Sequence, residues 1–251
     1  MITGIGQINA MDRGVTEDRL LGGRVKLLQP RRGYRVAVDA VLLAAAIEAA
    51  PGARVLDLGA GVGAVGLCLA TRVAGCSVLG IELQAELADL AQSNAVLNDM
   101  GDRVHTIVHD LAQDLPEGIG SFDVVATNPP YLAARVADPP PDRSKALATV
   151  ESSADLARWL AVACGAARPG GSLVMIHRAD REAEIVGHLV TLGWGDLTVK
   201  RLPPAARVLV RARRHKGLSR RDSPPLTLHG PSGAYTAEAE AILRQAAPLA
   251  F

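Results

Sequence analysis

Residues 55–63 read Val55-Leu56-Asp57-Leu58-Gly59-Ala60-Gly61-Val62-Gly63, an apolar run that ends in three glycines spaced by two. A short apolar run bounded by glycine predicts a strand buried on both faces, and the glycines let the backbone turn tightly and approach a ligand without a Cβ in the way. The run leads into a helical segment near Ala64–Val73 and then a second strand, Ser77–Glu82. Outward from this unit the alternation continues, with strands over Arg103–His109, Phe122–Thr127 and Ser172–His177 and helices near Ala85–Asn98, Ser152–Ala167 and Arg181–Leu192. A last pair of strands, Leu197–Leu202 and Arg207–Arg213, is separated by Pro203-Pro204, as in an antiparallel hairpin. Strands alternating with helices predict an α/β fold: a seven-stranded, mostly parallel sheet with helices on both faces and an antiparallel hairpin at its edge. Residues 1–50 and 216–251 fall outside this unit and read as extensions of a central domain over 51–215. Pro139-Pro140-Pro141 marks a loop after the fourth strand.

The chain has 251 residues, of which 49% are hydrophobic, enough for a substantial core without disulfides or metal. No run of 18 apolar residues and no secretory leader is visible, and the three cysteines, Cys68, Cys76 and Cys164, share no close spacing. These features predict a cytoplasmic protein. The six histidines are scattered and complete no metal-ligand set, so they read as structural. Net charge is only +1, but its distribution is uneven. Residues 51–130 carry three Lys/Arg against ten Asp/Glu, whereas nine Lys/Arg and no acid lie between Asp196 and Asp222.

In open α/β sheets ligands bind beyond the carboxyl ends of the strands, where the winding direction reverses. The glycine turn lies at such an end. Glu82 closes the second strand nineteen residues after Gly63, at a suitable separation to accept hydrogen bonds from a ribose diol. Gly61-Val62-Gly63-Ala64-Val65-Gly66 also satisfies the dinucleotide fingerprint, so a nicotinamide enzyme is a rival. Two features favour S-adenosylmethionine instead. Asp57 stands two residues before the first glycine, where a carboxylate can orient an ammonium group, and a cationic sulfonium gains from the acidic surroundings while a pyrophosphate does not. Asp110, at the end of the third strand, can accept from an adenine amino group or simply hold a turn. The expected cofactor set is Asp57, Gly59, Gly61, Gly63, Glu82 and Asp110.

The fourth strand runs into Asn128-Pro129-Pro130-Tyr131. Methylating an amide-like or aromatic amine requires that both N–H hydrogens be accepted, so that a delocalised lone pair can turn toward the methyl carbon. The Asn128 side-chain oxygen and the Pro129 carbonyl can supply those acceptors. Pro129 and Pro130 fix the backbone direction and bring no competing N–H donor, and Tyr131 offers a ring on which a planar group can stack. A proline-rich turn after a strand is the plain alternative for the tetrapeptide alone.

These residues resemble the N6-adenine and N5-glutamine methyltransferases that share this tetrapeptide, over about residues 53–215. The resemblance implies the Rossmann-like class I methyltransferase fold, S-adenosylmethionine contacts at the residues named above and the target amine at Asn128 to Tyr131. Leu20-Leu21-Gly22-Gly23-Arg24-Val25, Gln29-Pro30 and the run Gly33 to Ala44 look like the N-terminal signature of the bacterial enzymes that methylate adenine 37 of valine tRNA. Pro225-Leu226-Thr227-Leu228-His229-Gly230 with Tyr235-Thr236 is similar to that family's C-terminal stretch. This closer resemblance implies a tRNA substrate, with Tyr34, Arg35 and Asp39 near the cofactor or the target base. The release-factor glutamine methyltransferases are the nearest rival, although they usually carry a longer helical domain before the glycine motif. A non-catalytic RNA-binding protein with a relict pocket is a third reading. A stacked RNA base must swing out to react, and flanking phosphate contacts can offset that cost. The basic stretch predicts those contacts at Arg207, Arg211, Arg213 and Arg214, with Lys200, Arg201, Lys216, Arg220 and Arg221 beside them. Further contributions are expected from Arg31, Arg32, Arg143 and Lys145.

Overall fold

A computed structural model describes residues 14–131, 144, 146–147, 153–215 and 217–251. Its elements, in chain order, are β1 (Val15–Leu20), β2 (Val25–Pro30), α1 (Val38–Ala46), β3 (Arg54–Leu58), α2 (Ala64–Arg72), β4 (Ser77–Glu82), α3 (Ala85–Leu97), β5 (Val104–Val108) and β6 (Phe122–Thr127). They continue with α4 (Leu156–Ala166), β7 (Ala167–Arg178), α5 (Glu182–Thr191), β8 (Gly195–Leu202), β9 (Arg207–Arg213), β10 (Arg220–Ser223) and α6 (Ala237–Gln245). The main sheet runs β10-β8-β9-β7-β6-β3-β4-β5. Strands β5, β4, β3, β6 and β7 are parallel, whereas β9 is antiparallel to both β7 and β8. The expected sheet is therefore present, with one correction: it has eight strands, because β10 adds to β8 in parallel. That strand reads Arg220-Arg221-Asp222-Ser223 and stays exposed or half-buried, so no apolar alternation marked it. A second addition is the β1–β2 hairpin, which forms its own two-stranded sheet within the N-terminal extension. The triple proline 139–141 lies outside the described residues.

Two apolar layers hold the sheet. Leu42, Leu43, Leu67 and Leu69 of α1 and α2, with Ile242 of α6 and Leu27 of β2, pack on one face. Trp159 and Leu160 of α4, with Ile185 and Leu189 of α5, pack on the other. β3 has neighbours on both sides, β4 and β6, and its residues 55–58 are buried, as its unbroken apolar sequence requires. β9 alternates cleanly: Leu209 joins the first layer, and Val208, Val210 and Ala212 join the second. Gly59, at φ +76°, has no room for a side chain, since a Cβ there would stand 2.6 Å from the Trp159 ring. The turn consequently lies flat against α4 with its backbone toward the carboxyl end of the sheet.

Candidate active site

Beyond the carboxyl ends of β3, β4, β5 and β6 opens a pocket lined by Gly59, Gly61, Glu82, Asp110, Asn128, Pro129, Pro130 and Tyr131, among others. Both sequence motifs thus face one cavity, of about 190 Å³. Burial beside Glu82 pushes Asp57 up to about 7, because a carboxylate far from water and close to another acid resists ionisation. Its Oδ2 is buried and has no hydrogen-bond partner. Glu82 is tied down on both oxygens: Gly61 N–H donates to Oε2 at 2.8 Å and Gln84 N–H to Oε1 at 2.9 Å. Burial raises its pKa, while those backbone donors work the other way. Asp110 Oδ1 accepts from Ala112 N–H at 2.9 Å and from the Ser153 hydroxyl at 2.7 Å, so this residue both holds its turn and lines the cavity. Gly63 caps α2 in the left-handed conformation, and its Cβ position is 3.2 Å from Ala91. Tyr34 covers the turn, its ring 3.6 Å from where a Gly61 Cβ would be, and burial pushes its hydroxyl up to about 12. An orphaned carboxylate oxygen, a second acid and a turn without side chains fit a ligand that carries a cationic ammonium and a ribose. An anionic pyrophosphate would meet repulsion here.

Across the cavity the tetrapeptide leaves β6. His177 Nε2 lies 3.3 Å from the Pro130 carbonyl, which can only accept, so the ring is the Nε2–H tautomer. Burial, then the Arg181 charge, pushes His177 down to about 4, so it is neutral at physiological pH. Its ring meets Tyr131 edge-on at 5.3 Å between centroids. The Tyr131 hydroxyl stands 2.6 Å from Asp39 Oδ2 and 2.7 Å from the Asn128 side chain. Arg207 Nε donates to the same Asp39 oxygen at 3.0 Å, and its guanidinium sits 4.5 Å from the centre of the Tyr131 ring. Burial, followed by the Asp39 charge, raises the Tyr131 pKa far above that of a free phenol, so it stays protonated.

The basic residues are not gathered in one place. Arg207 lines the cavity. β9 runs away from it, antiparallel to β7, so Arg213 pairs with Ser172 at the opposite end of the sheet, about 20 Å off at ~3.4 Å per residue. Arg211 is engaged by Glu48 and by the Phe251 ring, and Arg214 by the Ala167 carbonyl, while Arg213 is exposed. Two cations of the run toward residue 222 are paired with acids: Arg201 with Glu182 and Asp222, and Arg220 with Glu182, while Lys200 donates to the Pro224 carbonyl and Arg221 to the Thr198 hydroxyl. Arg35 pairs with Asp18. Arg143, Lys145 and Lys216 lie outside the described residues. Sequence reasoning left Trp159 and His177 without a functional role, placed Asp39 only near the cofactor or target base, and read Arg207 as a phosphate contact rather than as the partner of Asp39. For His177 the available signal was that it ends a strand, at the carboxyl end of the sheet where ligands bind.

The methyltransferase small domain family matches residues 35–186. The chain is 35% identical over 108 residues, 43% of each chain, to a tRNA1(Val) (adenine(37)-N6)-methyltransferase of Yersinia enterocolitica. It is 32% identical over 147 residues, 56% of this chain and 50% of the other, to a release factor glutamine methyltransferase of Agrobacterium fabrum. The chain thus spans about half the length of these curated relatives. Among solved structures it is similar to a protein described as a predicted O-methyltransferase from Agrobacterium tumefaciens, with a TM-score of 0.69 and 25% identity. That match covers 85% of this chain and 99% of the other.

Proposed function

The chain belongs to the methyltransferase small domain family, and we propose that it transfers a methyl group from S-adenosylmethionine to the N6 amine of an adenine in RNA, next to the anticodon of a tRNA. The observation that carries this reading is the shared cavity: Asn128 to Tyr131 face Gly59, Gly61, Glu82 and Asp110 across it. Asp57 would hold the cofactor's ammonium, Glu82 its ribose and Asp110 its adenine amino group. When bound, S-adenosylmethionine supplies an electrophilic methyl carbon. Asn128 and the Pro129 carbonyl would accept the two N–H bonds of the substrate amine and so aim its lone pair. Arg207 covers one face of Tyr131, and a base would stack on the other. These roles are positioning and polar stabilisation, without a general base of shifted pKa.

The adenine reading draws on the resemblance at both ends of the chain and on the tRNA-modifying relative. The release-factor relative supports a second reading, with a glutamine side-chain amide in the same acceptors. Labelled S-adenosylmethionine incubated with total RNA and with protein extract, followed by nucleoside and amino-acid analysis, separates them. N6-methyladenosine in the tRNA fraction is expected, and Asn128→Ala should lower its formation by about two orders of magnitude while cofactor binding persists. Label found only in methylglutamine would overturn the RNA assignment.

A further inference from the structure

The Tyr131 hydroxyl has one proton and two acceptors within reach, Asp39 Oδ2 at 2.6 Å and the Asn128 side-chain amide at 2.7 Å. A phenol cannot donate to both. Asp39 sits against Arg207 Nε at 3.0 Å, so it is a carboxylate held by a cation, and a hydrogen bond to an ionised acceptor is about twice as strong as one to a neutral amide. Were the proton to go to Asn128 instead, two oxygen lone-pair shells would meet at 2.6 Å with no proton between them. The proton therefore belongs to Asp39. The Asn128 amide must then present its N–H2 to the Tyr131 oxygen, an orientation fixed by the network rather than by the heavy-atom positions, in which amide N and O are interchangeable. No other hydrogen bond of the Asn128 side chain is made among the described residues, so its oxygen is left without an internal partner in a cavity-lining residue.

We infer that Asp39 and Arg207 are positioning residues that set the direction of the Asn128 amide. The Tyr131 hydroxyl donates to Asp39, Tyr131 accepts from Asn128 Nδ2–H, and the Asn128 oxygen stays available to an N–H of the substrate. Arg207 holds the Asp39 oxygen in place through Nε and braces the Tyr131 ring from its face. The network joins three distant parts of the chain: α1 supplies Asp39, β9 supplies Arg207 and the turn after β6 supplies Asn128 and Tyr131. It gives Arg207 a role inside the site, in place of the phosphate contact read from its charge. The inference rests on the proposed amine chemistry only in its last step, since the amide direction is a property of the protein itself.

Two measurements test it separately from that chemistry. The first is the side-chain amide signal of Asn128 in protein labelled with nitrogen-15, identified by its disappearance in Asn128→Ala. One of its two protons should be shifted downfield by the bond to Tyr131, and this shift should be lost in both Tyr131→Phe and Asp39→Leu. An amide signal unmoved by Asp39→Leu would overturn the inference whatever the substrate proves to be. The second is a kinetic cycle. Asp39→Leu should lower kcat about tenfold, with KM and S-adenosylhomocysteine affinity nearly unchanged, because misdirected acceptors cost rate more than binding. In the Tyr131→Phe background the same change should cost less than about twofold, since Asp39 then has no hydroxyl to accept from. Asp39→Asn, which keeps an acceptor at the same point, should recover most of the activity. Additive effects in the cycle would mean that Asp39 acts independently of Tyr131 and would sink the inference. Methyl found in protein and not in RNA would instead overturn the substrate while leaving the amide signal as expected.

Discussion

Asp57 is 2% exposed and carries an unpartnered oxygen, an unfavourable arrangement for an acid unless a cation arrives. With its pKa raised to about 7, the carboxyl is largely protonated in the ligand-free protein below neutrality. A raised carboxyl favours the folded state while it is neutral, and that contribution fades as pH climbs through about 7. An ammonium beside the carboxyl lowers its pKa again, so binding releases a proton below pH 7 and affinity should rise with pH up to about 7. Titration calorimetry with S-adenosylhomocysteine near pH 6, in buffers of different ionisation enthalpy, should detect that proton in the wild type and not in Asp57→Asn. An affinity independent of pH would place the ammonium away from Asp57. Asp57 and Glu82 were both visible in the sequence, but their environment was not. Orphaning of an oxygen depends on which atoms of other elements come near it.

At the scale of elements, the N-terminal hairpin is attached by two asparagines four residues apart, Asn94 on α3 and Asn98 at its C-terminal cap. Asn94 accepts from Leu28 N–H at 2.7 Å and donates to its carbonyl at 2.8 Å, and Asn98 does the same to Lys26 at 2.8 and 2.7 Å. The two amides satisfy the edge of β2 much as a neighbouring strand would. Asn94 also donates to the Val62 carbonyl in the glycine turn at 3.0 Å, so the hairpin and the cofactor turn share one side chain. Asn94 is fully buried, whereas Asn98 is within reach of water. Asn94→Ala should cost about 1–3 kcal/mol for each buried group left unpaired, and Asn98→Ala only about 0.5–1.5 kcal/mol. Urea unfolding of both variants checks the ranking; equal effects would mean that water reaches Leu28 as freely as Lys26. In sequence both residues looked like ordinary polar positions on a helix, because the i, i+4 spacing acquires meaning only when a strand lies across it.

Across the whole molecule, charge that looks concentrated along the chain is dispersed in space. Glu182 on α5 meets Arg201 and Arg220, and Glu48 meets Arg211, so part of the basic stretch is already paired within the protein. Cations that could reach phosphates beside a base in the cavity must lie near Tyr34 and Tyr131. Arg31 and Arg32 do: they are exposed and precede Tyr34, a cavity-lining residue, by three and two positions. Replacing both by Glu should weaken tRNA binding and flatten its salt slope by about 0.7–0.9 for each phosphate no longer neutralised, with cofactor affinity unchanged. The triple change Arg211→Glu, Arg213→Glu, Arg214→Glu should instead lower thermal stability with a smaller effect on the slope, since two of these side chains have internal partners. Filter binding at several salt concentrations decides it, and the opposite ranking would move the RNA onto the far end of the sheet.

The order of strands and helices, the glycine turn and the tetrapeptide were all legible in the sequence, because each is written locally. Buried parallel strands need unbroken apolar runs, tight turns near a ligand need glycine, and both signals sit within a few residues of one another. Strand β10 was not legible, since four polar residues at a sheet edge gain their hydrogen bonds from β8 and not from any pattern of their own. The partners of Arg207 and Asn128 were equally hidden. Asp39 and Arg207 are 168 residues apart, and only the folding of α1 and β9 against the end of β6 brings one carboxylate oxygen within reach of both a guanidinium and a phenol. Residue type and local spacing determined what chemistry the chain can hold; long-range packing decided which charges were already satisfied, and so which atoms remain for a substrate.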